Sequence, residues 1–144
     1  MPEKKVISSD LDEARLLEEH LLEAVAKFGF CEADVFAIKL SLEEGFVNAI
    51  RHGNQNDPAK QLTVTWELDE NSATFCIADD GVGFVPEVVP DPTTAENRLR
   101  PCGRGLMLMR AYMDEVTYNS SGNEIRMVKR KSNSGTRMTR MKNE

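Results

Sequence analysis

A chain of 144 residues, 40% hydrophobic and 29% charged, has the size and composition of one globular domain whose core needs no disulfide or metal staple. Its net charge of −6 argues against general nucleic-acid binding, which needs a basic surface to neutralise phosphates, although basic residues crowd into the last third of the chain. Three scattered cysteines (Cys31, Cys76, Cys102) with only His20 and His52 besides argue against a zinc site; with no stretch resembling a signal peptide or membrane span, a reduced, cytoplasmic setting is expected.

Lys4–Ser8 reads as a short strand. Ser9 and Asp10 offer helix caps, Asp12 and Glu13 suit a first turn, and Leu11, Ala14, Leu17, Leu21, Val25 and Phe28 recur at helical spacing up to Gly29. A second helix is expected from about Glu32, with Val35, Ile38, Leu42, Phe46 and Ala49 on one face and His52-Gly53 and the polar run 54–58 closing it. The period then changes to two: Leu62, Val64, Trp66 and Leu68, a turn at Asp69-Glu70-Asn71, and Ala73, Phe75 and Ile77 returning as a hairpin. Residues 84–102 hold four prolines and little periodicity, the mark of a long loop that serves as a lid or stays disordered. Leu106–Met113 reads as a helix, and Val116–Asn119 with Glu124–Arg130 as a last hairpin around Gly122-Asn123. The order predicts an α+β fold, a two-layer α/β sandwich with a mostly antiparallel sheet and helices on one face. Lys129–Lys142 forms a basic tail that either meets an acidic partner or is simply solvated.

Three segments carry candidate chemistry. Glu44 and Asn48, four apart on the second helix, share a face with Arg51 on the side away from the apolar stripe, and Leu40 and Val47 flank them. Such a pair serves either as a solvated, salt-bridging helix face or as a base beside a carboxamide ligand for Mg²⁺, an ion that takes few protein oxygens and keeps water and phosphate. Asp79-Asp80-Gly81-Val82-Gly83 follows a strand. It is either a plain turn or a carboxylate placed to accept from a nucleobase amine, with glycines letting backbone approach a ligand. Gly103-Arg104-Gly105-Leu106 lies just before the third helix, where free N–H groups suit phosphate oxygens and Arg100 and Arg104 add charge; the alternative is a flexible junction. Walker and dinucleotide glycine motifs are absent from the sequence. His52 is expected to pack or bind a carbonyl rather than act as a phosphoacceptor, and Met107, Met109 and Met113 to fill core and helix faces.

In combination, E-x-x-x-N-A-x-x-H-G at Glu44–Gly53, D-x-G-x-G at Asp79–Gly83 and G-x-G-L at Gly103–Leu106 resemble the GHKL (Bergerat-fold) ATP-binding superfamily. Within it the chain looks like the bacterial anti-sigma-factor serine/threonine kinases: Glu leads the helix motif and His-Gly ends it, where sensor histidine kinases usually begin with Asn. The resemblance implies a nucleotide-binding domain over residues 1–131 with an ATP lid at 84–102, followed by a flexible basic tail at 132–144. It implies Glu44 as catalytic base and Asn48 as Mg²⁺ ligand. ATP would be held by Asn48, Asp79 on the adenine amine, Gly81, Gly83, Arg100, Gly103, Arg104, Gly105 and Leu106. Implied partners are a sigma factor and an anti-anti-sigma (STAS-type) protein phosphorylated on serine or threonine, with a homodimer as the expected assembly and neither nucleic acid nor membrane as a partner. A non-catalytic nucleotide-dependent binding module and a stand-alone histidine-kinase-type ATPase domain are the alternatives. The closing turn departs from the family, with Asn123 where Gly-Thr is usual, and the proline-rich lid has no Ser/Thr-rich run.

Overall fold

The computed structural model describes residues 2–81 and 101–132, for 101–106 the backbone only. Strand β1 (Glu3–Ser8) leads into helix α1 (Leu11–Lys27), whose first turn is capped by the Asp10 carboxylate accepting from the Glu13 N–H at 3.2 Å. Gly29 stops that helix by turning the chain at φ +87°, a conformation that costs a side-chain-bearing residue more than glycine. Helix α2 (Glu32–Val47) continues without a break into a π-helical turn over Asn48–Gly53. Strands β2 (Gln61–Leu68) and β3 (Ser72–Asp79) form the expected hairpin, its turn pinned by Asp69 accepting from the Asn71 and Ser72 N–H groups. Helix α3 (Pro101–Tyr112) and the hairpin of β4 (Glu115–Tyr118) and β5 (Glu124–Arg130) complete the order.

The five strands make one sheet in the order β1-β2-β3-β5-β4, every neighbouring pair antiparallel. Its register explains the two layers. Trp66 faces Phe75, which faces Met127, which faces Val116; Val64 faces Ile77, which faces Ile125. Because side chains alternate across a strand, these residues line a single face. That face is buried together with Leu17, Leu21 and Val25 of α1, Ile38, Leu42 and Phe46 of α2, and Met109 of α3. The opposite face carries Thr65, Cys76 and Arg126 in register. This is the α+β sandwich that the element order implied.

Helix α2 sits directly on the sheet because Gly45 has no side chain to hold it off. A Cβ there would lie 3.0 Å from Ile77 Cδ1 and 3.4 Å from Met127 Cε. At the far end of the sheet Asp34 of α2 is 1% exposed and accepts from the Ser132 N–H and hydroxyl, each at 2.8 Å, so β5's exit is tied to the start of the helix.

Candidate functional site

The α2 face that carries Glu44 and Asn48 is not a solvent face. Asn48 is 7% exposed, and Glu44 is half-buried with half-buried Leu40 beside it. Apolar periodicity placed both opposite the core because it followed only Val35, Ile38, Leu42, Phe46 and Ala49. The buried arc of α2 is wider: it includes Ala37, Ser41 and Gly45, small residues that sink the helix until Asn48 is enclosed. The salt-bridging alternative therefore fails at Asn48. Glu44 has no ion-pair partner among the described residues; the pair on this helix is Lys39–Glu43 at 3.3 Å.

Two buried polar atoms on this face lack hydrogen-bond partners among the described residues: the Nδ2 of Asn48 and the Oγ of fully buried Ser41. Buried polar groups are nearly always paired. The orphan Nδ2 is a donor and suits an acceptor such as a phosphate oxygen, whereas a cation would take the Oδ1 of the same carboxamide. Among the described residues no three His, Cys, Asp or Glu side chains gather as a metal cage, and Mg²⁺ commonly keeps water and phosphate oxygens beside one or two protein ligands.

The π-helical turn brings the helix end to the sheet. Its wider bonding, with the Asn54 N–H donating to Ala49 O and the Asn56 N–H to Ile50 O, both at 2.8 Å, ends in the left-handed pair Gln55 and Asn56. Such single π turns frequently occur at functional sites. Here it presses Gly53 against the end of β3. A Cβ on Gly53 would overlap the Asp79 carboxylate, and a Cβ on Gly81 would overlap the Gly53 carbonyl oxygen. Gly81 must be glycine because backbone occupies the space, and a side chain at position 53 would have to displace the Asp79 carboxylate.

Asp79 is the last residue of β3, paired with Leu62, and stands two residues beyond Ile77 on the helix-facing side of the sheet. Partial burial holds its carboxyl above the ordinary value; the Gly81 N–H, donating to Oδ1 at 2.8 Å, pulls the other way, and the charge of Asp80 adds to the rise. A half-desolvated carboxylate with one oxygen already bonded is suited to accept one further, directional hydrogen bond. Asp80 faces outward and accepts from the Gln61 N–H at 2.8 Å.

The structure thus joins the Glu44–Gly53 segment to Asp79 and Gly81. It does not add the third segment in the expected form. Gly103, Arg104, Gly105 and Leu106 lie within α3, which begins at Pro101, rather than before a helix starting at Leu106. The reason is Pro101, whose fixed φ and missing N–H suit the first helical position and outweigh two glycines. Gly83, Arg100 and lid residues 84–100 lie outside the described residues, as does the tail from residue 133. His52, expected to pack or to bind a carbonyl, is exposed, whereas Met109 and Met113 fill core and Met107 lies on the surface.

Sequence reasoning missed Asn54, taken there as part of a turn. It is 0% exposed, donates from Nδ2 to Ser9 Oγ and Gln61 O, both at 3.1 Å, and accepts from the Asp80 N–H at 2.7 Å. Nothing in the run Asn54-Gln55-Asn56-Asp57 singles out its first residue, because the pattern depends on three distant segments.

A sheet-and-helix frame with an enclosed carboxamide, a half-buried carboxylate and a glycine-lined Asp79 suits a nucleotide-binding protein, the class to which the comparisons point. A family model described as the histidine kinase-like ATPase domain matches residues 7–129, and the chain belongs to that family. The anti-sigma F factor of Geobacillus sp. (strain WCH70) is 32% identical over 89 residues, covering 60% of this chain and 61% of that one. The anti-sigma F factor of Bacillus velezensis is 31% identical over 102 residues, with 67% and 70% covered. The serine-protein kinase RsbW of Oceanobacillus iheyensis is 26% identical over 100 residues, with 65% and 63% covered. The chain spans about three fifths of the length of the Geobacillus relative. The crystal structure of the RsbU and RsbW domains of Rv1364c from Mycobacterium tuberculosis superposes with a TM-score of 0.61 at 17% identity, over 91% of this chain and 32% of that one, which shows the shared fold. Within the GHKL superfamily these relatives support the anti-sigma-factor kinase branch that the motifs implied. No helix among the described residues is long and apolar enough to cross a membrane.

Proposed function

We propose that this chain is an ATP- and Mg²⁺-dependent protein serine/threonine kinase, acting in the cytoplasm as an anti-sigma factor or partner-switching regulator. Its partners on this reading are a sigma factor and an anti-anti-sigma protein that it phosphorylates, and it works as a homodimer. The observation that carries the reading is the enclosure of Asn48, with its orphaned amide, one helical turn from half-buried Glu44 and on the segment that ends against Asp79.

Asp79 accepts from the adenine amine, while Gly53 and Gly81 let the base edge approach backbone. Asn48 would hold a Mg²⁺ ion through its amide oxygen, and the ion would neutralise phosphate charge. Glu44 accepts the proton of the substrate hydroxyl as its oxygen forms a bond to the γ-phosphorus and the bond to the leaving ADP oxygen breaks. Positioning and charge neutralisation supply most of the acceleration in such transfers, so the base is one contribution among several.

The test pairs Glu44→Gln with Asn48→Ala, using calorimetry for ATP binding and radiolabelled transfer to a cognate anti-anti-sigma protein. Glu44→Gln is expected to bind ATP as the wild type does and to lose transfer by roughly a hundredfold or more. Asn48→Ala is expected to lose Mg²⁺-dependent binding. Normal transfer by Glu44→Gln removes the base assignment, and binding without transfer by the wild type selects a non-catalytic, nucleotide-dependent module instead.

A further inference from the structure

Four separate segments meet at one side chain. Asn54 belongs by its backbone to the exit of α2, and its fully buried carboxamide reaches Ser9 after β1, Gln61 at the start of β2 and Asp80 after β3. The match of groups is complete: both amide hydrogens find acceptors, a hydroxyl and a carbonyl, and the amide oxygen takes an N–H. Asparagine supplies two donors and one acceptor at that reach; aspartate supplies no donor when ionised, and an apolar isostere supplies neither. The bond to the Asp80 N–H fixes the 79–80 peptide. The next N–H, that of Gly81, fixes Asp79 Oδ1 at 2.8 Å, and the neighbouring Gly53 fills the space against the same carboxylate.

Resting on the nucleotide-site reading above, we propose that Asn54 is the positioning residue that sets the base preference of this site, by holding the Asp79–Gly81 segment in register with the end of α2. Asn54 does not touch the nucleotide. It acts through Asp79, whose carboxylate welcomes the C6 amine of adenine and repels the C6 carbonyl of hypoxanthine. A site with its acceptor held in place discriminates strongly between such isosteres, and one whose acceptor drifts does not.

The experiment measures Mg²⁺-dependent binding of ATP and of ITP by calorimetry to the full chain, its Asn54→Ala, Asp79→Ala and double variants. Melting curves establish the temperature at which each is folded. The wild type is expected to prefer ATP, and Asn54→Ala to reduce the ATP/ITP affinity ratio on the order of tenfold or more, the worth of one hydrogen bond to a charged group. In the Asp79→Ala background, Asn54→Ala is expected to change the ratio no further, since both losses act on one contact. A folded Asn54→Ala protein with the wild-type ratio overturns the proposal, as does an equal reduction in both backgrounds, which would make Asn54 merely structural. Where Asn54→Ala does not fold, Ser9→Ala replaces it: that change removes one of the three bonds, is expected to lower the ratio about threefold, and overturns the proposal if it leaves a folded protein's ratio unchanged. A wild type that binds neither nucleotide defeats the nucleotide-site reading and this inference with it, whereas one that binds both equally leaves a nucleotide site and overturns this inference alone.

Discussion

Glu18 offers a quantitative check on how α1 packs against α2. It is only 7% exposed, and burial, helped by the charge of Glu43 across the helix pair and a hydrogen bond with it, raises its pKa from 4.5 to about 7 against the opposing charges of Lys39 and Arg15. Because the folded protein holds this proton more tightly than the unfolded chain, the stabilisation is fully present below about pH 4.5 and is lost as pH rises through about 7. At about 1.4 kcal/mol per tenfold change in acidity, that loss amounts to roughly 3 kcal/mol. Glu18→Gln keeps the shape and the hydrogen bond to Glu43 but carries no charge at any pH. The variant should therefore match the wild type near pH 4.5 and exceed its stability by about 3 kcal/mol above about pH 8. Urea unfolding at a series of pH values, extrapolated to water, measures the difference, and carboxylates not coupled to Glu18 cancel in the comparison. A stability difference that stays flat with pH would refute the reasoning, because it would mean that Glu18 ionises in the fold as it does in the unfolded chain.

Gly53→Ala should cost about 1–3 kcal/mol through overpacking against Asp79 and weaken nucleotide binding at the same time; a melting curve and a titration equal to wild type would show that the helix end is loosely seated. Asp34→Ala should lower stability by about 3 kcal/mol, since it strips the Ser132 N–H and hydroxyl of their acceptor and leaves mostly buried Lys129, 3.8 Å away, without that partner. Chemical unfolding checks it, and a loss below about 1 kcal/mol would show that solvent replaces the carboxylate.

Much of the fold was legible because it rests on local patterns. The Asp10 cap, Gly29 and the alternation of Leu62, Val64 and Trp66 each state their element within a few residues. What depends on distant residues was not. Asn48 is enclosed because Ala37, Ser41 and Gly45 let α2 sink, and small residues leave no mark on an apolar stripe. The π turn has no signature of its own, since the same residues would close an ordinary helix. Asn54 reads as a turn former until Ser9, Gln61 and Asp80 are brought around it. Of the candidate site, the motif order picked out Glu44, Asn48, Asp79 and Gly81 in two segments that the structure joins, while the link between those segments appeared only in three dimensions.

The bare backbone at Gly45 has one more consequence. With Ile77 and Met127 already in contact distance of where a side chain would begin, any larger residue at this position has to displace them or lift α2 from the strands. The depth at which the helix rides, and with it the concealment of Asn48, is thereby set by a methyl group that is not there.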